Sequence, residues 1–221
     1  PVAAACALPW AGMMRPIVVH AHAGGGTWFG ERKLQIVASA PPADGGSRLD
    51  GRIAAIPGGL RRGYRLSKDY MKGVGEPRTT GSAVYEQILV AMGVAQYSIT
   101  GPARIWDFAA GVLIVKEAGG VAMTPVRAAD GRRSDHWQPL ETFVDRYELT
   151  SDTFKRMRAW YGPVLLGPPE VVEFVARNAR PRRPSTLRRL RRKLFGRTTR
   201  RRPASSGAAS PSAGAKPARQ A

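Results

Sequence analysis

Between Trp106 and Ala118 the sequence reads W-D-F-A-A-G-V-L-I-V-K-E-A and then stops at Gly119-Gly120. The spacing predicts a helix with Phe108, Ala109, Ala110, Val112, Leu113, Ile114 and Val115 distributed around nearly the whole cylinder. A helix that is apolar all round must be enclosed by other elements. The glycine pair is an ordinary helix stop. A fold containing this helix therefore needs layers on either side of it.

The rest of the chain supplies candidates for those layers. Pro16 to His22 is a β-branched run that enters a turn at Gly24-Gly25-Gly26, and Leu34 to Ala38 follows a break at Gly30. These runs suggest a hairpin or meander. Residues 40 to 51 are Pro-, Gly- and Asp-rich and read as a loop, and Arg52 to Ile56 reads as a strand stopped by Pro57-Gly58-Gly59. Tyr64 to Val74 has helical character, as does Ser82 to Met92 after Gly81, where Val84, Ile88, Ala91 and Met92 share a face. Gln96 to Thr100 and Val121 to Val126 read as strands, and residues 127 to 162 as polar and irregular, with a helix at Thr153 to Trp160. Val164 to Leu166, Gly167-Pro168-Pro169 and Glu170 to Asn178 read as strand, turn and helix, with proline near the helix start. Alternating strands and helices define an α/β, layered α+β domain over residues 1–179.

From Arg180 to Ala221 the chain holds 14 basic and no acidic residues, so most of the formal charge of +19 sits there. Residues 1–179 carry a balance of only 21 basic against 16 acidic. The 180–221 segment, rich in Arg, Pro, Ser and Ala, cannot bury enough apolar area to offset chain entropy and is expected to be disordered. Within it, Ser185 to Phe195 places Leu187, Leu190 and Leu194 at helical spacing among arginines. That pattern fits a short amphipathic helix on an anionic membrane or nucleic acid, and it equally fits a solvated tail with no dedicated partner.

Cys6 is the single cysteine, which excludes an internal disulfide and a cysteine zinc cluster and makes a reducing, cytoplasmic compartment the default. Ala3 to Met14 is apolar but is interrupted by Pro9 and Gly12 and has no basic segment before it, unlike a signal peptide. The chain opens on Pro1, so a fragment or processed product is expected.

Asp107 is the residue most able to carry chemistry. It opens the apolar helix, where an acid serves either as a first-turn cap or, packed by Trp106 and Ala109-Ala110, as a hard-oxygen ligand for Mg²⁺. His20 and His22 share one face of a strand and read as surface residues, since Mg²⁺ prefers oxygen. Lys116 and Glu117 read as the solvated end of the helix, and Arg104 as a surface charge near a pocket mouth.

The block W-D-F-A-A-G followed by an apolar stretch and E-A-G-G resembles the C-terminal signature of the inositol monophosphatase superfamily. Gly81-Ser82-Ala83 at a helix start is similar to that family's G-S/T-A segment, Gly24-Gly25-Gly26 to its glycine turn, and V-L-L-G-P-P-E-V-V-E-F to its final strand and helix. The likeness covers about residues 16–126 and 163–178.

This resemblance implies the C-terminal half of an α-β-α-β-α phosphatase in which Mg²⁺ ions activate water against a small phosphate monoester. It implies a metal-ligand role for Asp107 and a substrate-side role for Gly81, Ser82, Ala83 and Thr100, with no residue here assigned to catalysis itself. Thr100 stands where inositol-specific members carry a glutamate, so inositol phosphate, nucleotide bisphosphate, histidinol phosphate and sugar phosphate all stay open, as does Thr100 as an ordinary strand end. Homodimerisation is also left open. The family's D-P-x-D-G-T/S motif and its upstream metal-binding glutamate are missing. One carboxylate cannot hold the metals, so the chain alone is expected to be inactive. The other reading is a non-catalytic product that binds nucleic acid or anionic membrane through its basic tail.

Overall fold

A computed structural model of the chain describes residues 2–8, 17–37, 49–57, 63–127, 133–144 and 148–181. They belong to a compact unit, Pro1–Arg183. The leucine and arginine pattern at Ser185 to Phe195, and most of the loop read at residues 40 to 51, lie outside the described residues.

The first sheet is antiparallel, in the order β1 (Ala3–Leu8), β2 (Ile17–His22), β3 (Gly26–Phe29) and β4 (Arg32–Leu34). Its turns are set by Gly24 and Gly26, with φ of 76° and 81°, and by Gly30, with φ of 58°. These are left-handed values that side chains rarely adopt. The tight turn at Gly30 explains a displaced strand. Pairing starts again at Arg32 and ends at Leu34, so of the expected run from Leu34 to Ala38 only Leu34 lies in a strand and residues 35 to 37 do not, while Ala38 lies outside the described residues. β1 has no sequence counterpart, because alanine has little β propensity and its pairing with β2 is what makes it a strand.

The second sheet has the order β11 (Arg133–Pro139), β10 (Val121–Arg127), β13 (Leu165–Gly167), β8 (Ala95–Ile99), β5 (Ile53–Ala55) and β7 (Pro77–Arg78). Its β11 to β8 neighbours run antiparallel, and β8, β5 and β7 run parallel. β11 falls in a stretch whose polarity hides it, since Arg133, Ser134, Asp135 and His136 offer no apolar alternation.

Between the sheets lie α2 (Ala83–Ala91) and α3 (Ala109–Glu117). Val112, Ile114 and Val115 are packed with Val19, Ala21 and Leu34 of the first sheet and Ala55, Ala95, Ala122 and Leu166 of the second. The enclosure demanded by the apolar helix is therefore met, and each such buried side chain contributes about 1.5–3 kcal/mol. On the far face of the second sheet, Val171, Val172 and Val175 of α5 (Pro169–Asn178) and Tyr70 of α1 (Lys68–Gly73) cover Ala54, Tyr97 and Ile99. The described layers are thus β, α, β, α in a mixed α/β fold. The remaining helix, α4 (Ser151–Ala159), is capped by Thr150.

Two elements differ from their sequence readings for one reason. Tyr64 to Leu66 forms β6 rather than the start of a helix, because it pairs with β14, Ala179–Pro181. That pairing also carries Arg180 and Pro181, which composition assigns to the tail, into regular structure. Helix α1 begins only at Lys68, with the Ser67 hydroxyl accepting from the Tyr70 N–H at 3.0 Å.

Contact between α2 and α3 depends on Gly111. A Cβ there would lie 1.9 Å from Gln87 Oε1 and 2.8 Å from Gln87 Cβ, and Gln87 is fully buried. Gly111→Ala is expected to cost about 1–3 kcal/mol by overpacking, outweighing the roughly 1 kcal/mol that alanine gains in a helix interior. Urea denaturation of the two proteins would measure the difference, and a stabilised variant would refute the close contact.

Candidate functional site

The apolar helix does not start as one piece. Ile105–Asp107 forms a 3-10 turn, and Phe108, at φ −149° and ψ −7°, separates it from α3. The Phe108 ring is fully buried and meets Trp160 at 5.1 Å and Phe143 at 5.9 Å between centroids. With Phe108 as the anchor, its neighbours turn outward. Trp106 is 63% exposed and Asp107 is exposed as well, which corrects the expectation that Trp106 packs tightly around the acid.

Asp107 Oδ2 accepts the Arg104 backbone N–H at 2.9 Å, closing the 3-10 turn. The first turn of α3 itself has no side-chain cap. Asp107 thus keeps a local capping bond while standing in solvent at the positive end of a buried helix. Arg104 donates from one guanidinium nitrogen to the Arg158 and Ala159 carbonyls at 3.2 and 3.4 Å and lies over the Tyr161 ring at 5.3 Å. It caps the C-terminal end of α4, a favourable place for a cation.

Gly81 is exposed with φ of 83°, and Ser82 caps α2, its hydroxyl accepting the Tyr85 N–H at 3.4 Å. Ala83 packs against the inner core. Glu86, which the sequence reading passed over, braces this turn. Its buried carboxylate accepts the Thr80 N–H at 2.8 Å and the Thr80 hydroxyl at 3.2 Å. Only its place in the first turn of a helix hinted at such a role.

The Gln87 and Gly111 contact lies four residues after both Ala83 and Asp107. The Gly81-Ser82-Ala83 turn and Asp107 therefore stand at the starts of two helices that pack on each other through Gln87 and Gly111. Thr100 is engaged differently. It is buried, and its hydroxyl accepts the Val164 N–H at 2.9 Å and donates to the Val164 carbonyl at 3.3 Å. Thr100→Val should cost about 1–3 kcal/mol, as the buried Val164 N–H loses its acceptor. A thermal melt matching the parent would show that this clamp is dispensable.

Glu117 is not a solvated helix end. Its carboxylate accepts the Gly24 N–H with both oxygens at 3.1 Å and the Gly26 N–H at 3.1 Å. The E-A-G-G block and the triple glycine are thus two halves of one contact. Lys116 pairs with Glu141 at 2.8 Å. His20 and His22 point outward from β2, while Val19 and Ala21 between and before them are buried.

Among the described residues no group of three or more His, Cys, Asp or Glu side chains comes together that could hold a metal ion. Asp107 alone does not amount to a site for a hard cation, which takes about six oxygens. No described helix is long and apolar enough to cross a membrane.

A helix layer held between two sheets, with an exposed aspartate heading its buried member, defines a layered α/β protein with a carboxylate displayed at one helix start. Residues 1–141 match the inositol monophosphatase family, and the chain belongs to that family. No curated protein matches it. Among solved structures, a Staphylococcus aureus inositol monophosphatase II bound to 2'AMP aligns at 19% identity and TM-score 0.47, over 73% of this chain and 51% of that one. The extragenic suppressor protein of Bartonella henselae aligns at 21% identity and TM-score 0.46, over 73% and 53% of the two chains. A Pyrococcus horikoshii protein described as similar to inositol-1 monophosphatase aligns at 18% identity and TM-score 0.47, over 73% and 52%. The chain spans about half the length of the solved structures it matches.

Proposed function

We propose that this chain contributes one part of a Mg²⁺-dependent phosphomonoesterase, with Asp107 as a metal ligand and the Gly81-Ser82-Ala83 turn on the substrate side. The observation that carries this reading is the position of Asp107, solvent-exposed at the uncapped start of a helix otherwise buried between two sheets. Bound Mg²⁺ would supply Lewis acidity and an activated water. The described residues do not provide the remaining ligands, so the chain by itself is inactive in this proposal.

Asp107 would hold one negative charge near the metal, its orientation fixed by the Arg104 N–H. Ser82 and Gly81 would present a helix start to phosphate oxygens, with Glu86 holding their turn in place. Thr100 would act on the substrate side through the backbone it positions rather than through its hydroxyl. The substrate is a small phosphorylated molecule.

The test is phosphate release from inositol monophosphate and 2'AMP with Mg²⁺, by this chain alone and by a protein that adds the family's upstream half, with its D-P-x-D-G-T/S motif and metal-binding glutamate, ahead of it. The chain alone should release none and the extended protein should turn over. Turnover by the chain alone would refute the incomplete site, and an inert extended protein that binds no Mg²⁺ would refute the phosphatase reading.

A further inference from the structure

One two-stranded sheet holds two arginines face to face. β6 and β14 pair with Arg65 opposite Arg180, flanked in register by Tyr64 with Pro181 and Leu66 with Ala179. Residues directly opposite on antiparallel strands have Cβ atoms roughly 5 Å apart, where like charges repel. Both arginines are exposed.

The pairing cannot slip to separate them. Tyr64 and Ala179 are buried, and a shift of one residue would turn them outward. Tyr64 is stacked on Trp137 with centroids 6.0 Å apart, and the Trp137 indole N–H donates to the Ala179 carbonyl at 3.2 Å. The Ser67 hydroxyl bonds Asn178 Oδ1 at 2.7 Å, and the Ser67 N–H donates to the Asn178 carbonyl at 3.0 Å.

Two more exposed cations stand three residues from the pair in sequence, Arg177 before Arg180 and Lys68 after Arg65. Arg177 lies in the last turn of α5, its carbonyl accepting from Arg180 Nε at 3.3 Å, and Lys68 opens α1. None of the ion pairs found among the described residues involves these four side chains. The acid nearest along α5 is Glu173, one turn before Arg177, and Asp69 beside Lys68 is paired with Lys72.

We infer that this braced arginine ladder is a docking surface for an anionic lipid bilayer. Two cations locked in repulsive register on a rigid support, with two more exposed cations three residues away in sequence and no carboxylate across from the pair, are stabilised by an external layer of negative charge. The surroundings favour lipid over nucleic acid. Met71, one turn after Lys68 and 38% exposed, adds an apolar element suited to a headgroup boundary. The rings beside the ladder are engaged with each other, whereas single-stranded nucleic acid is held by rings open to stacking.

Sedimentation of the full chain with phosphatidylcholine vesicles, with and without phosphatidylserine, tests the inference. Binding is expected only with phosphatidylserine and should weaken as salt rises. Arg65→Glu changes the ladder by two charges and gives Arg180 an opposite partner. It should weaken binding roughly tenfold or more, while the melting temperature stays level or rises. Parental vesicle affinity in Arg65→Glu, or equal binding to neutral vesicles, would overturn the inference. A duplex DNA bound more tightly than the anionic vesicles, with the same loss in Arg65→Glu, would overturn it in favour of nucleic acid.

Discussion

In a catalytically active protein containing this sequence, Asp107→Asn should reduce phosphate release on the order of a hundredfold or more, the scale on which one electrostatic contact to a reacting group is felt. Apparent Mg²⁺ affinity should fall with it, because the amide keeps the shape of the carboxylate but brings no charge to a hard cation. Stability should barely change. Asn Oδ1 can still accept the Arg104 N–H that Asp107 now accepts at 2.9 Å. The melting temperature is therefore expected to move by less than about 4 °C, the shift produced by ~1 kcal/mol in a protein of this size. Phosphate-release assays across a Mg²⁺ series, paired with melts, separate the two roles available to this acid. Undiminished turnover at limiting Mg²⁺ would leave Asp107 as the cap of a 3-10 turn and nothing more.

Glu117→Ala should be the most damaging of the stability changes. It leaves the Gly24 and Gly26 N–H groups without the carboxylate that holds them, at 3.1 Å each, to the end of α3. Hydrogen bonds to a charged group contribute about 1.5–3 kcal/mol, and the partial exposure of this contact favours the lower half of that range for each bond. A total loss of about 3–4.5 kcal/mol, or roughly 6–18 °C in melting temperature, is expected. Glu117→Gln keeps one acceptor oxygen and should lose about half as much. Hydrogen exchange at Gly24 and Gly26 should speed up in both variants. If exchange there is unchanged while the melt falls, the damage lies within α3 and not at the turn.

Where the sequence was readable, local pattern and tertiary need coincided. The run from Val112 to Val115 had to be enclosed because no side of that helix suits water, and both sheets supply the cover. β2 alternates plainly, and α2 carries a serine where its cap belongs. The unreadable elements depend on partners distant in sequence. β1 is an alanine-rich run that exists by pairing with β2, and β6 is a strand only because Ala179–Pro181 lies beside it. Glu117 looks like any acid at a helix end until the glycine turn 91 to 93 residues earlier is brought to it.

The candidate site divides in the same way. Asp107 could be named from the chain alone, because a helix start carries its own marks in the polarity of its first turn, and the Gly81-Ser82-Ala83 turn from its likeness to the family's segment. Direction could not be named. Trp106 beside Asp107 has the larger apolar ring, yet Phe108 takes the buried position against Phe143 and Trp160, and that choice leaves both Trp106 and the acid facing water. By itself the sequence determined the layered α/β class, the buried helix and the family signature, all of which follow from periodicity and short motifs. Which acid is displayed, which acid is consumed in holding a turn, and which cations are locked side by side were decided by tertiary structure, because each depends on residues that meet only after the sheets have closed around the helices.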